Sequence, residues 1–313
     1  MDIDELTVAH RGSGTPVYRL TGGAQFHFRC GDGGTPFPHS WDVTARRIEA
    51  MLRLDRWLGP IDATPRPMPS TTAPVLDVVL ADRHSAEERF SAVTLRAYST
   101  PLPPREQLTL VLPSDGRPPW ASLVTGEPPS TFRDRPDDVV EATLRDAALL
   151  RPIVGAVGFH LMSEPWMESQ YTAHALPFLQ RYPGLNLPHR YDWNIDGARV
   201  QSVDWLTVLG DELLSPLGGR DRLRTRLADT AERMGAPAPT VLPYDGGVVV
   251  RAGAGPQFGD SAGQGAPPSY RVVDAVVRRV RWDGIAHTPS GLLKTARGVD
   301  RVDATRRWAA RFE

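Results

Sequence analysis

Few residues in this sequence have the types and spacing that could do chemistry. His160 and Glu164 stand four apart, which on a helix would bring an imidazole and a carboxylate to one face. Together with Asp260 they could form the acid–base set of a hydrolase-like enzyme. The pattern around His160 is strand-like, however, and Pro165 directly follows Glu164, so helical spacing is not the expected geometry. There is no HExxH and no CxxC, and the remaining histidines (His10, His27, His39, His84, His174, His189, His287) are dispersed. The reading is therefore no catalytic residue, no metal site and no cofactor. Residues 252–265 are glycine-rich and follow a strand pattern, the context of a phosphate cradle. Phe258 stands where a third glycine is needed, and Pro256 removes an amide donor, so the segment reads as a structural turn. No GxSxG elbow occurs; Gly12-Ser13-Gly14 lies in the terminal segment.

Composition narrows the function classes. The chain has 313 residues and a net charge of −1, which gives no global case for nucleic acid or an anionic membrane. Cys30 is the single cysteine, so no internal disulfide is possible. No secretory signal and no membrane-spanning run is visible, and a cytoplasmic location is expected. From 271 onward, ten Arg and Lys face five acids. With Trp282 and Trp308 as the aromatic residues to interleave, this reads as a solvated helix surface. Nucleic-acid binding is the weaker alternative, and an acidic protein partner could also use the patch.

The elements that must position these residues are strands and helices in separate runs. Alternation predicts strands over 17–20, 24–30, 75–80, 90–98, 107–112, 152–162 and 198–203. Helical spacing predicts helices over 43–58, 137–150, 166–180, 203–219, 221–234, 270–280 and 304–312. Tyr244-Asp245-Gly246 predicts a hairpin between 240–243 and 247–251. Residues 114–136, with five prolines, read as an irregular surface loop. The expected class is α+β, an antiparallel or mixed sheet packed with helices, helix-rich in its C-terminal half. The expected organisation is one domain over 1–313.

Several motifs recur in a fixed order: Tyr182-Pro183-Gly184-Leu185, then Val203-Asp204-Trp205-Leu206-Thr207, then Leu217-Gly218-Gly219. After these come Ala252-Gly253, Pro256-x-Phe258-Gly259-Asp260, Tyr270-Arg271-x-Val273 and Trp308-x-x-Arg311-Phe312. In the order and spacing of these short motifs the chain resembles the bacterial type VI immunity family of TsiV-like proteins. The resemblance is strongest over 150–313 and poorest over 1–70. It implies an immunity protein that binds and neutralises a cognate toxin, often a nuclease, encoded by a neighbouring gene, in interbacterial competition. It does not imply catalysis. Tyr182, Pro183, Gly184, Trp205, Leu206, Gly218, Gly219, Gly253, Pro256, Gly259, Asp260 and Tyr270 are then fold determinants. Trp205 is expected in the core, and Asp260 at a turn or cap. Partner contacts are sought on exposed aromatic loops: Trp120, Phe132, Tyr191 and Trp193.

Overall fold

The computed structural model describes residues 2–10, 12–29, 56–58, 66–67, 92–100, 102–113, 120–163, 172–188, 199–282, 295 and 298–313. The strands are β1 (Thr7–Ala9), β2 (Pro16–Arg29), β3 (Arg56–Leu58), β4 (Arg66–Pro67), β5 (Ala92–Tyr98), β6 (Gln107–Pro113), β7 (Trp120–Glu127), β8 (Val154–Ser163), β9 (Leu206–Gly210), β10 (Thr240–Tyr244) and β11 (Gly247–Arg251). The α-helices are α1 (Pro129–Asp134), α2 (Pro136–Leu150), α3 (Thr172–Arg181), α4 (Asp211–Leu217), α5 (Gly219–Met234), α6 (Pro268–Val277) and α7 (Arg301–Ala309). The described strands form one sheet in the order β10-β11-β9-β8-β2-β7-β6-β5-β3-β4, with β1 added to β2. Every described strand pairing is antiparallel, so the α+β reading holds.

β2 is the centre of the sheet, and its ladder explains two sequence features. The pattern of 17–20 and 24–30 predicted two strands broken at Gly22-Gly23, yet Pro16–Arg29 is one strand. The glycines make room for side chains packed on opposite faces. A Cβ on Gly22 would overlap the Phe132 ring, and one on Gly23 would overlap His160 Nδ1. Successive strand residues face opposite ways. One face therefore carries Leu20, Phe26 and Phe28; the other carries Thr21, Gln25 and His27, and all six are buried.

Two predicted segments are corrected. The expected helix over 203–219 is a strand and a shorter helix: Leu206–Gly210 is β9, and only Asp211–Leu217 is helical. β9 lies between β8 and β11 and pairs with both, so ladder formation outweighs the three-and-four leucine spacing. The helix ends at Gly218, whose φ of 90° few other residues tolerate. The predicted loop over 114–136 holds β7 and α1 instead. Pro129 and Pro136 start helices rather than interrupt them, since the first helical turn needs no amide donor from them.

Smaller departures follow the same logic. Of the strand expected over 198–203, the described residues 199–203 form none; Val200 makes a single bridge to Arg281. Arg56–Leu58, predicted at the end of a helix, is strand, and the rest of 43–58 lies outside the described residues, as do Cys30 and 75–80. The hairpin turn at Tyr244-Asp245-Gly246 is present between β10 and β11. Among the described residues no helix is long and apolar enough to cross a membrane.

Candidate functional site

Three glycines stand in register across the middle of the sheet. Gly23 of β2 lies opposite Gly126 of β7 on one side and Gly158 of β8 on the other. Their missing side chains leave a trough, filled by Met162 over Gly126, His160 over Gly23 and Asp204 over Gly158. Asp204 reaches it from the turn that precedes β9.

Within the trough, His160 Nε2 is 3.0 Å from Asp204 Oδ2. A carboxylate can only accept, so Nε2–H donates. Asn186 Nδ2 approaches the same oxygen at 3.5 Å, and the Trp205 amide donates to Oδ1 at 2.8 Å. Thr207 Oγ1 accepts the Asp204 amide at 3.2 Å. His160 and Asp204 are 0% and 1% exposed, and His160 Nδ1 has no hydrogen-bond partner among the described residues. Asn186 is brought there by backbone pairing: its amide donates to Phe159 O and its carbonyl accepts from Leu161, extending the sheet beside β8.

The next layer is the C-terminal strap. Arg311 donates to Pro183 O at 2.9 Å, Trp308 O at 3.0 Å and Ser202 Oγ at 2.6 Å. Its guanidinium lies 4.4 and 4.5 Å from the Trp308 and Phe312 ring centroids. Burial pushes its pKa down to about 10, against the attraction of Asp204 and Asp274; the side chain stays charged at neutral pH. Arg281 bridges the buried Asp274 (2.7 Å) and Glu313 (2.7 Å), tying the strap to α6. A small recess beside it, with room for about one water, is lined by Gln25, His27, Asn186, Gln201, Ser202 and Trp308. Burial pushes the His27 pKa down to about 3, so this imidazole is neutral.

The motif residues interlock around this centre. Gly184 packs on the Gln257 carbonyl, with no room for a Cβ, and its amide donates to Phe258 O at 2.7 Å. Tyr182 meets Phe258 edge-on, and Phe258 stacks on Phe159 at 4.5 Å. Pro183 lies against Gly259, whose φ is positive, as are those of Gly219 and Gly253. Trp205, 0% exposed, donates from Nε1 to Gly253 O at 3.0 Å. Leu206 is in the core. Buried Tyr270 accepts the Gln257 amide at 3.1 Å, and burial, reinforced by Asp204, raises its pKa. Pro256 is half-buried. Asp260 closes a turn by accepting the Ala262 amide at 2.9 Å and meets Arg181 at 3.4 Å. That backbone bond, then the Arg181 bond, lowers its pKa.

The hydrolase arrangement is not formed. His160 is sealed in the core, Asp260 belongs to a surface turn, and Glu164 lies outside the described residues. Phe132 is also corrected: it is 4% exposed and packs edge-on against Trp205, so it is core rather than a partner contact. Trp120 opens β7, while Tyr191 and Trp193 lie outside the described residues. Among the described residues no group of three His, Cys, Asp or Glu could hold a metal ion. Asp204, Asn186 and Arg311 went unrecognised as a polar centre. Asp204 and Arg311 do stand inside motifs, and only that position marked them.

No curated protein matches the chain in sequence. The Pseudomonas aeruginosa T6SS protein PA0821 has a similar structure, with a TM-score of 0.76 at 19% identity, covering 99% of this chain and 88% of that one. At that identity the likeness is one of fold. The family described as "Type VI immunity for VRR-NUC" (TsiV) matches residues 123–312. Those residues contain β8, β9, the Asp204 centre, the interlocked motifs and the Arg311 strap; the chain belongs to the TsiV type VI immunity family.

Proposed function

We propose that this protein neutralises a cognate VRR-NUC nuclease toxin by stoichiometric binding, in the cytoplasm of the cell that makes it. The family match over 123–312 carries the reading. The site geometry supports it, because His160, the histidine of the hydrolase alternative, is sealed inside the fold against Asp204. Polar residues held in the core stabilise and orient; the work falls to the surface.

The test is a titration of nuclease activity. A VRR-NUC nuclease, its gene sought beside this one, is mixed with increasing amounts of the chain, and DNA cleavage is followed. Stoichiometric inhibition ends near one equivalent, with a complex that co-elutes in size-exclusion chromatography. Complete inhibition far below one equivalent would instead show catalytic modification of the toxin. No inhibition at any ratio would sink the proposal.

A further inference from the structure

The exposed arginines of this protein are mostly paired within the fold. Arg29 meets Glu212, Arg133 meets Asp134, Arg151 meets Asp245, Arg181 meets Asp260, Arg224 meets Asp221 and Arg307 meets Asp303. Arg222 of α5, Arg271 of α6 and Arg279 just beyond α6 are exposed, and none has an ion-pair or hydrogen-bond partner among the described residues.

Of the other exposed arginines without a partner among the described residues, Arg145 follows Glu141 by one turn, while the acids nearest Arg306 and Arg135, Asp303 and Asp134, are held by Arg307 and Arg133. The acids beside the α6 stripe, Asp274 and Glu313, are held by Arg278 and Arg281. The stripe's exposed positions are Pro268, Arg271, Ala275, Arg278 and Arg279. Asp274, three residues after Arg271, is buried and held by Arg278 and Arg281. On α5, the residues one turn from Arg222 are Gly218, Gly219, Thr225 and Arg226, and the adjoining Asp221 is held by Arg224.

The two helices bring these cations to one side. Arg226 of α5 donates to Val276 O near the end of α6 at 3.4 Å, and Arg222 lies one turn earlier on the same face of α5. At the other end, Ser269 at the start of α6 donates to Pro237 O, just after α5, at 3.1 Å. The helices therefore run antiparallel, with Arg222 toward Arg279 and Met234 toward Arg271. Met234, at 38%, is one of the few large apolar residues left exposed.

We infer that the Arg222–Arg271–Arg279 stripe with Met234 is the docking surface for an acidic face of the partner protein, here the toxin. Arg222, Arg271 and Arg279 have no acidic partner among the described residues, and a carboxylate-bearing partner meets such guanidinium groups through their planar fork. Exposed Arg and Met are also the side chains enriched at protein interfaces. A nucleic acid fits less well: the stripe offers no aromatic residue on which a base could stack, and the chain as a whole is −1. This inference rests on the toxin-binding reading above.

The experiment measures association of the chain with the same VRR-NUC nuclease for wild type and for the triple variant Arg222→Glu, Arg271→Glu, Arg279→Glu. Arg145→Glu, Arg306→Glu serves as the control, and unchanged circular dichroism and melting establish that each variant is folded. Should the triple variant melt early, the milder Arg271→Gln, Arg279→Gln pair replaces it. The stripe variant is expected to associate about tenfold more slowly at low salt, with the difference shrinking at high salt, while the control matches wild type. If wild type binds and the folded stripe variants bind as well, the docking surface is wrong and the function stands. If wild type does not bind, the functional reading falls and takes the surface with it. Tight binding of a short DNA duplex through the same arginines would reassign the stripe to nucleic acid and overturn the inference.

Discussion

His160 Nε2 lies 3.0 Å from Asp204 Oδ2, and both side chains are closed off from solvent. The pair links β8 to the turn that begins β9, across a separation of 44 residues. It exists because Gly158 and Gly23 leave the space that Asp204 and His160 occupy. Gly158→Ala is expected to destabilise the protein by about 3 kcal/mol, because a methyl group there overlaps a buried carboxylate that cannot move into water. Asp204→Ala strands the His160 and Trp205 donors and is expected to cost about 3 kcal/mol. Urea denaturation checks both, and a change within error at either position would show that the trough relaxes freely.

Arg311 should not tolerate lysine. Its three nitrogens serve three acceptors on separate segments, and its plane lies against two rings. An ammonium cannot reproduce that fork. Arg311→Lys and Arg311→Ala are both expected to lower stability by about 2 kcal/mol or more. Near-complete rescue by lysine in thermal melting would mean that charge alone matters there.

Asp260 offers the opposite expectation. Its pairing with Arg181 is on the surface, where solvent screens the interaction. Asp260→Asn should leave both the melting temperature and toxin neutralisation at wild-type values. Abolished neutralisation in a folded Asp260→Asn protein would return this residue to the functional surface.

Stability should fall on acidification through His27. Its pKa is ordinarily 6.5 and is pushed down to about 3 in the fold by burial. Below 6.5 the unfolded chain takes up a proton that the folded chain refuses until about pH 3. The contribution is therefore complete above 6.5 and is lost across that window by about 1.4 kcal/mol per pH unit. Chemical denaturation of wild type and His27→Gln at several pH values tests this: the variant should show the shallower acid dependence, and parallel curves would rule His27 out as the source.

Much of the helical layer was legible in the sequence, because helix signals are local. The 137–150 pattern yields Pro136–Leu150, and 221–234 yields Gly219–Met234. Prolines were the main source of error around α1, where Pro129 fits a helix start as well as a loop. The candidate site was far less legible. Phe132 looked like an exposed loop aromatic and is a core residue set against Gly22, since nothing near it in sequence reports what β2 lacks.

By itself the sequence determined the α+β class, the hairpin at Tyr244-Asp245-Gly246, most helix positions and membership in the immunity family. Those follow from spacing, turn chemistry and ordered motifs within short windows. Only the tertiary structure decided that Leu206–Gly210 is a strand, that Gly126, Gly23 and Gly158 align, and that Asp204 meets His160. Each depends on strand register between segments far apart in the chain, and a one-residue slip would send the same side chains to the other face of the sheet. A local pattern carries no record of that register.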